Sequence, residues 1–81
     1  MILIDVSVPA LDLHCDIRTD EKSVPSVLIE EILDLLRQET GEEFTAEQGF
    51  TLFSRELGKA LETDYPLFTQ GITDGSQLIL V

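Results

Sequence analysis

Apolar and polar positions alternate through the first 18 residues. Ile2, Ile4, Val6 and Val8 alternate with Leu3, Asp5 and Ser7. After Pro9-Ala10, the residues Leu11, Leu13, Cys15 and Ile17 alternate with Asp12, His14, Asp16 and Arg18. Period-two alternation with one apolar set predicts half-buried strands. The short link predicts a hairpin, although Pro-Ala is not a favoured two-residue turn. The pattern then changes to a helical one. Leu28, Ile32, Leu35 and Leu36 fall at i, i+4, i+7 and i+8, while Glu30, Glu31, Asp34 and Arg37 lie off that stripe. Ser23 or Ser26 is the expected cap, Pro25 fits the first turn, and Gly41 is the stop signal.

Beyond the helix, "EEFTAEQ" reads as a polar connector with Phe44 against the core. "FTLFS" predicts a short strand, and "RELGKAL" a turn leading into a brief strand around Lys59 to Leu61. The stretch "ETDYPLFTQGITDGS", punctuated by Pro66, Gly71 and Gly75, predicts an ordered loop with one helical turn. Leu67 and Ile72 are its expected anchors, and Asp74-Gly75 a turn in which Asp bonds its own backbone. "QLILV" is a strand too apolar for an exposed edge, which places it centrally beside strand one. The order is strand, strand, helix, strand, short strand, strand. A single α+β domain over residues 1–81 follows: a β-grasp with a mixed four- to five-stranded sheet and one helix across it. A ferredoxin-like arrangement would need a second helix, and Glu62 to Gln70 lacks the periodicity for one.

The chain resembles the small ubiquitin-like proteins called YukD or EsaB, associated with bacterial type VII secretion systems. The likeness is carried by the alternating first strand, the Pro25-led helix, "KALETDYPL" (Lys59 to Leu67) and "GITDGSQLIL" (Gly71 to Leu80). It implies an accessory protein that works through contacts with components of the secretion machinery. Ubiquitin-like domains in general share a looser version of that ending.

Charge and candidate chemistry narrow the function. Sixteen acidic against five basic residues give a net charge of −11. Such a surface repels phosphate backbones and anionic lipid, which disfavours nucleic acid and membrane as direct partners; the acid excess reads either as a solubilising surface or as one suited to a basic partner, and the spread of acids from Asp5 to Asp74 does not choose between them. The first residues carry no basic segment before a broken apolar run, so no signal peptide is expected, and no stretch is long enough to span a bilayer. A cytoplasmic location is expected, in keeping with a single cysteine.

No catalytic site, cofactor or metal is expected. His14 and Cys15 are neighbours on a strand and point to opposite faces, so they cannot form a nucleophile pair. Cys15 belongs to the core-facing set and His14 to the solvent face. One His and one Cys do not make a metal site. The carboxylate pairs Asp20-Glu21, Glu30-Glu31 and Glu42-Glu43 read as solvated surface, and Gly41, Gly49 and Gly58 are too isolated for a phosphate loop. Sulfur carriers and conjugated modifiers of this fold act through a Gly-Gly tail. Here Ile79-Leu80-Val81 stands at the end, so that reading requires an extension beyond Val81. A general ubiquitin-like adaptor is the other alternative.

A binding face is the remaining candidate. With Ile2, Ile4, Val6 and Val8 towards the helix, Leu3 faces out. Leu78 and Leu80 face in and Ile79 and Val81 out. Phe50 and Leu52 face in, leaving Phe53 out. Since strands one, three and five are neighbours in a β-grasp sheet, Leu3, Phe53, Ile79 and Val81 form the expected protein-binding patch. The competing readings bury Phe53 under a loop or use the patch to join two copies in a homodimer.

Overall fold

The computed structural model describes residues 1–81 apart from the side chain of Ala46. Five strands form one sheet in the order β2-β1-β5-β3-β4: β1 (Ile2–Val8), β2 (Leu13–Thr19), β3 (Leu52–Ser54), β4 (Lys59–Ala60) and β5 (Gln77–Leu80). One long helix, α1 (Pro25–Thr40), packs on it. β1 pairs antiparallel with β2 and parallel with β5, and β5 pairs antiparallel with β3. The final strand is thus central, between β1 and β3, as its apolar sequence required.

The alternation works as read. Ile4, Val6, Val8, Ile17, Leu52, Leu78 and Leu80 are buried beneath the helix. Phe44 is buried and meets Phe50 edge-to-face at a ring separation of 6.4 Å. The Arg37 Nε donates to the Phe44 carbonyl at 2.8 Å, which fastens the polar connector to the helix. The Glu62–Gln70 loop contains one 3-10 turn, Leu67–Gln70, anchored by fully buried Leu67 and Ile72.

Four local expectations change. The hairpin link is a 3-10 turn at Pro9–Leu11 closed by Asp12 in the left-handed region (φ 52°), so β2 begins at Leu13 and not at Leu11. Asp tolerates that conformation better than most residues, which explains how a link without a standard two-residue turn still closes. Neither Ser23 nor Ser26 caps the helix. Val24 is the cap residue, with no side-chain bond. The Ser26 N–H donates instead to the Thr63 carbonyl (3.2 Å), so a tertiary contact satisfies the helix start. Third, the buried stripe is Leu28, Ile29, Ile32, Leu33 and Leu36, while Leu35 is 37% exposed. The row 28-32-36 with its i+1 neighbours 29 and 33 faces the sheet, which swings Leu35 to the flank. Fourth, Asp74 does not bond its own turn. Its Oδ1 accepts the Leu3 N–H at 2.7 Å, and the Gly75 N–H (φ 87°) donates to the Leu3 carbonyl at 2.7 Å.

The revised stripe has a direct consequence. Leu33→Ala, at a site with no solvent exposure, is expected to cost about 2–5 kcal/mol, whereas Leu35→Ala should stay within about 1 kcal/mol. Urea unfolding followed by circular dichroism measures both, and equal losses would contradict this orientation of the helix.

Candidate functional site

The face of the sheet away from α1 carries the outward residues of every strand, and strand register decides which of them meet. On β3 and β5, Phe53 stands directly opposite Ile79. Two residues along, Thr51 and Val81 exchange both backbone hydrogen bonds, at 2.8 and 2.9 Å. Phe53 also lies opposite Ala60 on β4, and Ile79 lies beside Ser7 on β1. Phe53 and Ile79 are half-buried and Val81 is 61% exposed. Three of the four expected residues therefore adjoin one another. Directly opposed side chains on one face of an antiparallel pair sit in contact range, so Phe53 and Ile79 form the centre of an apolar strip with Val81 at its end.

Leu3 is not part of that strip. It faces the same side and is 40% exposed, but it pairs with Arg18 and lies level with Gly75. Ser7 is the β1 residue next to Ile79, and Asp5 lies between Ser7 and Leu3. Four residues of strand put Leu3 about 13 Å from Ser7. Alternation assigns a face, but it carries no information about the offset between β1 and β5.

Register also assembles polar groups that residue counting missed. Asp5 stands opposite Asp16, and Ser7 opposite His14. The ligand-type atoms of Asp5, His14 and Asp16 lie within 4.8 Å of one another on the open face. The expectation about metals weighed one His against one Cys and left out carboxylates from a neighbouring strand. The His14 Nε2 rests against Asp5 Oδ1, an ion pair when the imidazole is protonated. Two like charges directly opposed across a ladder are unfavourable, and the imidazole edge softens that pairing. His14 is exposed, as expected.

Cys15 lies at the margin of the core and not within it: it is partly buried and packs against the core cluster. Burial pushes its thiol above the ordinary value, and the negative charges of Asp16, Asp5 and Glu39 push it further. Position and field both keep the sulfur protonated and a poor nucleophile.

No family model matches the chain, and no curated protein matches it. Solved structures do. A ubiquitin-like domain of an Arabidopsis thaliana protein matches with a TM-score of 0.74 and 23% identity, over 99% of this chain and 74% of that one. The EccD5 ubiquitin-like domain from Mycobacterium xenopi matches with a TM-score of 0.74 and 21% identity, over 99% and 91%. A structure of ATBAG1 in complex with HSP70 matches with a TM-score of 0.68 and 20% identity, over 100% of this chain and 40% of that one. The fold is the ubiquitin-like β-grasp, with a five-stranded mixed sheet and one main helix.

The field at Cys15 can be checked chemically. The fold favours the neutral thiol, so its stabilising contribution is complete below the ordinary thiol pKa and is lost as pH rises towards the elevated one. Iodoacetamide should modify the folded chain slowly at pH 8, and Glu39→Gln or Asp16→Asn should quicken the reaction severalfold. Intact mass against time reads the rate, and indifference to both substitutions would contradict the electrostatic contribution.

Proposed function

We propose that this chain is a non-catalytic ubiquitin-like interaction domain that serves as an accessory of a bacterial type VII secretion system. It acts in the cytoplasm and holds a protein partner on the open face of its sheet. The observation that carries the binding role is the apolar strip: Phe53 and Ile79 opposed across β3 and β5, extended by Val81. Surface apolar residues scattered singly mean little, whereas a contiguous group on an uncovered sheet face is the usual form of a docking surface. Leu3 contributes as a separate contact at the far end of the same face. Its distance from the strip suits a partner that spans the sheet and not one that caps a single spot.

The secretion context draws support from the resemblance to the YukD and EsaB proteins and from the likeness to the EccD5 domain. The ATBAG1 structure, solved in complex with HSP70, is a case of a similar fold within a protein complex. The excess of acidic residues favours a partner whose contact surface is basic at its rim.

Phe53→Asp and Ile79→Asp are each expected to retain the circular dichroism spectrum of the parent chain and to lose capture of secretion-machinery components in a pull-down read by mass spectrometry. Capture undiminished in both variants would remove the strip from the binding role. Capture of proteins unrelated to secretion, lost in both variants, would keep the strip and discard the secretion context.

A further inference from the structure

The polar group on the β1–β2 half of the open face has a geometry that the backbone sets. The Asp5 N–H donates to the Ser76 carbonyl (2.9 Å), so the odd-numbered residues of β1 turn their backbone groups to β5 and away from β2. Asp5–Asp16 and Ser7–His14 are therefore cross-strand pairs with no backbone bonds between their members. Pairs of that kind bring their Cα atoms to about 4.5 Å, and their side chains lie closer than in the hydrogen-bonded pairs. Two carboxylates are pressed together in this way. The imidazole of His14 stands one diagonal step from Asp5 and two residues from Asp16 on the same face.

The described residues do not balance that charge. Asp5 Oδ1 is closed to solvent and accepts no hydrogen bond, although the His14 Nε2 rests against it. Arg18, the next residue on the same face of β2, forms an ion pair with neither carboxylate. A protonated His14 sets one positive charge against two negative ones, and a neutral His14 sets none. Like charges directly opposed across a ladder are destabilising, and a carboxylate oxygen shut away from water without a partner adds a desolvation cost. Both costs are removed by a cation seated among the three side chains.

We propose that Asp5, His14 and Asp16 bind a divalent transition-metal ion of the Zn²⁺ class. Each aspartate gives one oxygen and His14 one ring nitrogen, and a fourth position is open to solvent. The three donor atoms lie within 4.8 Å of one another. Donors about 2 Å from a tetrahedral zinc stand about 3.3 Å apart, so turning the side chains closes the site and the strands need not move. His14 has the freedom to turn, with 62% of its side chain exposed. The donor set selects the ion. Imidazole suits zinc, copper and nickel, whereas magnesium and calcium take oxygen ligands alone. Cys15 lies between His14 and Asp16 but points to the other face, so the set contains no sulfur. Three protein ligands with an open fourth position describe an exchangeable site and not a closed structural one. It is separate from the Phe53–Ile79 strip, which belongs to β3 and β5.

The test is a titration of the isotope-labelled full chain with zinc chloride, read by calorimetry and by nuclear magnetic resonance. One ion per chain is expected, with saturable shifts at the Asp5, His14 and Asp16 amides and at the His14 ring, while magnesium chloride at the same concentration leaves them unmoved. Asp5→Asn, His14→Gln and Asp16→Asn should each weaken zinc binding about tenfold or more. Replacing the acidic pair of the connector, Glu42→Gln with Glu43→Gln, should alter it little. Without zinc, Asp16→Asn should keep or raise the urea midpoint of the parent chain, because it removes a directly opposed like charge. Any of four results would overturn the proposal: no saturable binding, an equal response to magnesium, zinc binding undiminished in His14→Gln, or a marked loss of stability in metal-free Asp16→Asn. The second would reduce the effect to general attraction by the acidic surface, and the last would make the carboxylate a structural group.

Discussion

The parallel pairing of β1 with β5 is the constraint on which the molecule rests. It joins the two ends of the described chain at the centre of the sheet, with Val6 beside Leu78. A parallel pair cannot be closed by a tight turn, so everything between the two strands must serve as the crossover. The pairing is extended beyond the strands by Asp74 and Gly75, which grip the N–H and C=O of Leu3. That clip sets how far β5 slides along β1. Through this offset it decides which outward residues of the open face become neighbours.

Around that seam the two layers close by burial. α1 lays Leu28, Ile29, Ile32, Leu33 and Leu36 over the inward residues of β1, β3 and β5. The loops are tied in by buried apolar anchors, Phe44, Leu61, Leu67 and Ile72, and by backbone and amide contacts. Ser26 is held to Thr63 and Leu67 to Ser23, and the Gln70 amide bridges Glu62 and Tyr65. Such bonds satisfy polar groups that a small domain would otherwise bury unpaired. They leave Tyr65 and Phe68 exposed at the loop surface.

The same geometry separates two kinds of surface. The open face has its apolar strip where β3 meets β5, and its charged groups, Asp5, His14 and Asp16, where β1 meets β2. In the proposed role the first acts by shape and apolar contact, and the excess of acid favours a partner with a basic surface.

The alternation of β1 and β2, the Pro25 start, the Gly41 stop and the apolar final strand were all legible in the residues, because each reflects local stereochemistry or a period intrinsic to its element. Helix orientation was less so. A 3.6-residue period accommodates either Leu35 or the Ile29–Leu33 pair beside the 28-32-36 row, and the sheet beneath makes the choice. Inward and outward faces could be read for Leu3, Phe53, Ile79 and Val81, yet the separation of Leu3 from the others could not. Strand register comes from hydrogen bonds between segments more than seventy residues apart. The Asp5–His14–Asp16 grouping comes instead from the register of the β1–β2 hairpin, which alternation along each strand does not set. Periodicity along the chain determines which way a side chain points, and pairing between strands determines what it points beside.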